Sequence, residues 1–545
     1  MRKTLFYYFK ILILAFIVCL PLILPYFKTG FFPTHDGEWA VIRLSDMYRE
    51  IKDFQFPARY SGYLNFQFGY PLFNFTYPLP YYLGLIPVFL KLGFVNSIKV
   101  LFSLSVVLSF FSMFVLAKEL WKNKWAALTS SIFYIYVPYR IIDLYVRGSI
   151  GESLSFVLFP LILLGIKKIY ERKKSIDVLF TAAMFALLIA THNIMTVLFG
   201  IIIILIILLA LFKKEMNFVI RLLLSLFFSL CFSAFFWIPA IFEKNLILLS
   251  KIPIADRGLY FVQPLQLIIP QWGYGTPTDP NPFGYQIGIP QLIVFVLAFI
   301  FALKSVGKNK DAKIALFLIV VTLLVSFLLF SQSAFIWKIA PLLSEINYPW
   351  TLLGIIMFLV SLLAGYLTKL GKVLTLVVLA LGIGAMFLFI PHARPQYVVN
   401  RGDSFYLTNQ ATTTSSNELM PLWVKKLPLT SPMEKVAVPM GKVTDLFYNS
   451  KRITFNLDLQ KTETIRINTI YYPGWEFSVD GIKTGINYNN QFGVMDINVL
   501  AGRHIVTGEF RETSLRLFSD FVSLFSILGL VIYSIYSLAY KFKKK

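Results

Sequence analysis

Apolar runs of about twenty residues, separated by short clusters of lysine and arginine, recur along this chain from end to end. A helix of that length crosses the hydrocarbon core of a bilayer, so the pattern predicts a polytopic α-helical membrane protein. Reading the runs together with the basic clusters gives crossings at 6–27, 98–117, 123–138, 151–168, 176–190, 194–212, 219–242, 289–304, 313–331, 349–368, 372–391 and 515–540, or twelve transmembrane helices. KELWKNK, KKIYERKK and KSVGKNKDAK then fall on one side. The preference of Lys and Arg for the cytoplasmic face puts both termini there. The apolar stretch LPYYLGLIPVFLKLG (79–93) is short and holds Pro80 and Pro87. Counting it as a crossing would invert every later cluster, so it is expected to lie flat in one large external loop, 28–97.

Two other regions break the helical pattern. Residues 244–288 are rich in Pro, Gly and aromatics, as expected of an ordered external loop without long helices. From 392 to 513 the period changes to two, in RITFNLDL (452–459), TIRINTIYY (464–472), WEFSVDG (475–481), GVMDINVL (493–500) and HIVTGEF (504–510). That alternation predicts a C-terminal extracytoplasmic β-sandwich-like domain. Its opening, around TTTSSNE (412–418), reads as loose. The chain thus divides into a transmembrane part (1–391), a β-rich domain (392–513), and a last transmembrane helix with a basic tail (514–545).

Composition sharpens this picture in three places. The 545 residues are 57% hydrophobic and carry a formal net charge of +23. That charge sits between apolar runs, where topology explains it, so no nucleic-acid partner is expected. Cys19 and Cys231 both fall inside apolar runs and offer neither a disulfide framework nor a cysteine metal site. The N-terminus looks like a signal peptide without a small-residue cleavage site, and is kept as a spanning helix of a multi-pass plasma-membrane protein.

Ionisable groups inside or beside a span are costly, and are candidates for function. Four constellations qualify, all on the outer side. In THDGEWAVIRLSDMYRE (34–50), His35, Asp36 and Glu38 precede an amphipathic surface helix marked by Val41, Ile42, Leu44, Met47 and Tyr48. Asp36 there is either an ordinary helix N-cap or a general base. Asp36, Glu38 and His35 could also share a divalent cation, Mg or Mn. In PYRIIDLYVRGSIGE (138–152), Arg140, Asp143, Arg147 and Glu152 cluster at a glycine-bearing turn. An arginine fork fits a phosphate; the plainer alternative is an internal ion-pair network with Asp143 on Arg140 or Arg147. His192 in THN is either a hydrogen-bonded structural residue or a ligand. In SEINYPW (344–350), Glu345 precedes a helix, and Tyr348 and Trp350 read as interfacial anchors rather than sugar platforms. No phosphate-binding loop, HExxH or Gly-x-Ser-x-Gly occurs, so nucleotide hydrolysis has no support.

A first span followed by a long external loop with an early acidic motif (THDGEW), then YPLPYYL, resembles the GT-C glycosyltransferase superfamily. More narrowly, PYRIIDLYVRGSIGE, ATHN, INYPW, and YYPGWEFSVDG followed by LAGRHIVTGEF resemble the YfhO-like bacterial membrane proteins, also labelled 6-pyruvoyl-tetrahydropterin-synthase-related. The resemblance implies an enzyme that moves a sugar from a polyprenyl-phosphate donor to an envelope glycan, lipid or protein on the outer face of the membrane. It makes Asp36 the catalytic carboxylate, with Glu38 as second choice. Arg147 and Arg140 would then hold the lipid phosphate, with Asp143, Glu152, His192 and Glu345 lining the same cavity. Two rivals stay open: a lipid or solute transporter, and a non-catalytic envelope-assembly protein. Charges near the outer edge rather than mid-span favour chemistry at the surface.

Overall fold

The apolar runs fold as helices because a helix satisfies each backbone N–H and C=O within its own run, where lipid offers no partner. A computed structural model describes residues 2–307, 309–340, 343 and 346–543, with the side chains of 2–4 and 537–543 outside that description. The helices that matter for the site are α1 (Arg2–Ile23), α2 (Gly37–Lys52), α3 (Leu79–Phe89), α4 (Phe94–Trp121), α5 (Ile150–Arg172), α6 (Ser175–Thr191) and α7 (Asn193–Phe212).

Among the described residues, seven segments are long and apolar enough to cross a membrane: Leu5–Phe27, Phe94–Trp121, Ile150–Arg172, Asn193–Phe212, Pro349–Leu370, Lys372–His392 and Ser514–Tyr536. Two bent pairs, Met216–Phe232 with Ala234–Phe242 (79°) and Lys310–Phe327 with Ser331–Ile339 (88°), raise this to nine if each pair is one span. The expected twelve is not reached among the described residues. The runs at 123–138, 176–190 and 289–304 fold as Lys124–Ile135, α6 and Ile289–Ser305, of 12, 17 and 17 residues. At the helical rise these reach about 18 to 26 Å, short of a hydrocarbon core of about 30 Å. Pro349–Leu370 is the central helix, buried over its whole apolar window. It packs against Lys124–Ile135, Ile289–Ser305 and Lys310–Phe327, which is why its sequence is apolar all round. The proline-bearing stretch after 79 folds as the short α3, packed on α2 and α4.

The alternating segments fold as strands β1 (Val436–Ala437), β2 (Lys442–Tyr448), β3 (Arg452–Leu459), β4 (Glu463–Ile470), β5 (Trp475–Val479), β6 (Ile482–Thr484), β7 (Val494–Val499) and β8 (Gly502–Phe510). They make two antiparallel sheets, ordered β1-β4-β7 and β2-β3-β8-β5-β6. In β3, Ile453, Phe455, Leu457 and Leu459 turn inward, while its register runs from Arg452 opposite Glu509 to Leu459 opposite Gly502. The segment leading into this domain is not loose, as its composition had implied. Phe31 and Val399 exchange backbone hydrogen bonds of 2.9 and 2.8 Å. Thr413 is buried: its N–H donates to Tyr70 Oη at 3.2 Å, and its Oγ1 accepts from Arg43 Nε at 3.0 Å. The segment is therefore strapped across α2.

Candidate functional site

The loop Thr34–Asp36 lies along a π-helical turn, Asp143–Arg147. His35 N–H donates to Val146 O at 3.0 Å, and Asp36 N–H to Arg147 O at 2.7 Å. Gly148 makes that approach possible. Its φ is +65°, and a Cβ there would run into Thr34 Oγ1 and reach the Gly37 nitrogen at 2.9 Å. π-Helical turns recur at functional sites, because the extra residue re-aims the side chains that follow.

Asp36 occupies the N-cap position of α2, yet its side chain makes no cap hydrogen bond. Thr34 Oγ1 takes the Gly37 N–H at 2.9 Å instead. The cap reading of Asp36 is thereby set aside. Its carboxylate is 41% exposed, with Oδ2 at 3.9 Å from Arg147 Nη2. Arg147 is only 11% exposed and is held from three sides. Nη1 pairs with Glu152 Oε2 and donates to Tyr139 Oη at 3.4 Å, and the guanidinium stacks 4.4 Å above the Trp350 ring; Tyr139 Oη in turn donates to Glu152 Oε1 at 2.5 Å. Trp350 is 3% exposed and packs edge-on to Phe283 at 5.1 Å, so it is a wall of this site and not an interfacial anchor.

Arg140 corrects a second expectation. It is fully buried, with Nη1 at 3.6 Å from Asp143 Oδ2, and it donates to Ser153 O at 3.1 Å and Ser105 Oγ at 3.0 Å. Ser153 Oγ donates to Asp143 Oδ2 at 2.5 Å. Arg140 and Asp143 therefore close the turn from inside and offer a phosphate nothing. The plainer reading of this pair holds, and only Arg147 of the two arginines reaches the open carboxylate.

The three groups expected to share a cation point to three different partners. His35 Nε2 meets Tyr274 O at 3.0 Å, and burial, above all, lowers its pKa below the ordinary imidazole value. Glu38 Oε1 accepts from Arg401 Nη1 and Tyr406 Oη, each at 3.3 Å. Among the described residues no three His, Cys, Asp or Glu side chains gather to hold a metal ion. The donor set does not fit one. His192 Nδ1 accepts from the Met195 N–H at 3.2 Å as the N-cap of α7, and its ring stacks on Tyr77 at 4.9 Å. That turn presses against the start of α5: a Cβ at Gly151 would meet the Tyr77 ring and Thr191 O at 2.6 Å. His192 thus supports the floor beside Glu152 and does not line an open face. Glu345 lies outside the described residues.

No protein-family model matches this chain. No curated protein matches it either. Solved structures that match include the apo form of the oligosaccharyltransferase of the archaeon Archaeoglobus fulgidus, at 14% identity and a TM-score of 0.46, over 79% of this chain and 62% of that one. The chain therefore spans 62% of the length of that enzyme.

Tyr139, Arg401 and Tyr406 complete the site without having stood out in the sequence, and Trp350 joins it from a motif read there as an anchor. Tyr139 is one aromatic in a chain that is 17% aromatic. Arg401 and Tyr406 come from the strap, more than 360 residues beyond Glu38. Only the position of Tyr139, immediately before Arg140 in the charged turn, marked any of them.

Proposed function

We propose that this protein transfers a sugar from a polyprenyl-phosphate donor to a hydroxyl-bearing acceptor at the outer membrane surface, as the YfhO-like resemblance implies. One observation carries the reading: an exposed carboxylate, released from helix capping, stands 3.9 Å from an arginine that is buried and held in place. Asp36 accepts the proton of the acceptor hydroxyl as its oxygen attacks the anomeric carbon. The bond from that carbon to the lipid phosphate oxygen breaks, and the phosphate leaves with the electron pair. Its negative charge develops toward Arg147. A positioned base contributes about 10²–10⁴-fold, and a fixed cation adds stabilisation where the charge appears. The strap and the 244–288 loop flank Asp36 through Arg401 and Tyr274, which leaves the acceptor to enter between them. The β domain meets the far end of α2, where the Ser450 N–H donates to Asp53 Oδ2 at 2.9 Å, and outside the membrane it binds or covers the acceptor. No step is assigned to a divalent cation.

Protein reconstituted in lipid vesicles and incubated with a panel of polyprenyl-phosphate sugars tests this. The expected result is free polyprenyl phosphate plus glycosylated acceptor, unchanged by a chelator. Movement of intact donor between leaflets without its cleavage would instead favour the transporter. Neither cleavage nor movement, with envelope polymer retained on the β domain, would favour an assembly protein.

A further inference from the structure

Far along α1 from Asp36, a groove of about 560 Å³ opens between the first turns of α1 and the middle of α4. Phe6, Tyr8, Phe9 and Leu12 line it from α1, and Leu108 and Phe111 from α4. Leu12 and Leu108 are each more than a third exposed, so the groove is a trough on the lipid-facing side of the helix pair. Two ammonium groups stand on rings at or beside its edge. Lys10 Nζ lies 4.5 Å from the centre of the Phe6 ring, while Lys118 Nζ lies 3.8 Å from Tyr7 and 5.3 Å from Tyr8. Lys10 is one helical turn beyond Phe6, so both cations sit at the same level of α1. Among the described residues, neither enters a salt bridge, whereas the neighbouring Lys122 and Lys167 both pair with Glu119.

An apolar trough in the bilayer, rimmed by cations that lack a carboxylate, has one complementary partner: a lipid with both an acyl chain and a net negative headgroup. A zwitterionic lipid brings its own compensating cation, and a soluble phosphate has nothing for the trough. We propose that the α1–α4 groove binds an anionic glycerophospholipid, its acyl chain lying against Tyr8, Leu12, Leu108 and Phe111 and its phosphate at Lys10 and Lys118. Basic residues at a membrane surface attract anionic lipid, and the strength of that attraction corresponds to about fivefold in affinity for each lysine.

Native mass spectrometry of the purified full chain, exchanged into mixtures of phosphatidylglycerol and phosphatidylcholine, reads this directly. The wild-type chain should retain phosphatidylglycerol preferentially. Lys10→Gln with Lys118→Gln should lower that preference about 25-fold and leave phosphatidylcholine retention unchanged. Leu108→Trp, which fills the trough, should lower retention of both lipids with no change in the unfolding midpoint. Equal retention of the two lipids by wild type would overturn the proposal, as would a double-lysine variant that keeps the preference. Should Leu108→Trp fold poorly, the lysine pair decides alone.

Discussion

Arg140 and Arg147 stand seven residues apart on one turn, each facing carboxylates, and they do opposite things. Arg140 is sealed: its guanidinium meets Asp143, Ser105 and Ser153, and none of it reaches solvent. Arg147 is anchored by Glu152 and Trp350 but keeps one edge toward Asp36, which is open to water. The same contrast runs along α2. Asp36 at its start is exposed and free of the helix cap, whereas Asp46 is buried in the middle of the helix, beside Ser61. Residue type does not separate structure from chemistry here; access to solvent after local partners are satisfied does.

Exchanging members of these pairs tests the contrast. The largest expected effect is on Asp36→Asn, which should lower sugar transfer by about 10²–10⁴-fold with no change in unfolding midpoint, since its side chain holds no cap. Arg140→Gln should act on stability instead. Leaving Asp143 buried and unpaired costs about 3–5 kcal/mol, read by denaturant or thermal unfolding. An Arg140→Gln protein as stable as wild type but unable to bind donor would erase the difference between the two arginines. Arg147→Lys keeps the charge and loses the fork and the stack on Trp350, so donor affinity measured by titration should fall about 10–100-fold.

The smallest effect concerns Asp46, and its sign differs. Burial pushes its pKa up to about 7. Between the ordinary carboxyl value and that point the folded chain holds a proton that the unfolded chain has released. Stability therefore falls as pH rises from about 4 to 7 and levels off above. Asp46→Asn removes this fall, so the variant should gain on wild type through that window in a pH series of thermal melts, with transfer unaffected.

Much of the fold was legible because each signal is local. Apolar runs mark helices wherever lipid leaves the backbone no other partner, and β3, β4, β5, β7 and β8 coincide with the segments picked out by their period-two sequence pattern. The number of crossings was not legible. Lys124–Ile135, α6 and Ile289–Ser305 carry apolar composition, but where each stops depends on the helices packed around it. At the site, charges at span edges pointed to Asp36 and Arg147 together. That Arg140 turns inward depends on Ser105 of α4 and Ser153 of α5, which no spacing rule brings to one place. Glu38 was drawn toward Asp36 by its neighbourhood in sequence, yet its partners come from the strap. The burial of Trp350 follows from Phe283 and Arg147, both distant in the chain.

Single-turnover release of polyprenyl phosphate from saturating donor and acceptor, measured for wild type beside Asp36→Asn at equal donor occupancy, tests the central claim most directly. A wild-type burst that disappears in Asp36→Asn, with donor still bound, is the predicted result. Equal bursts from the two proteins would contradict it and remove Asp36 from the chemistry.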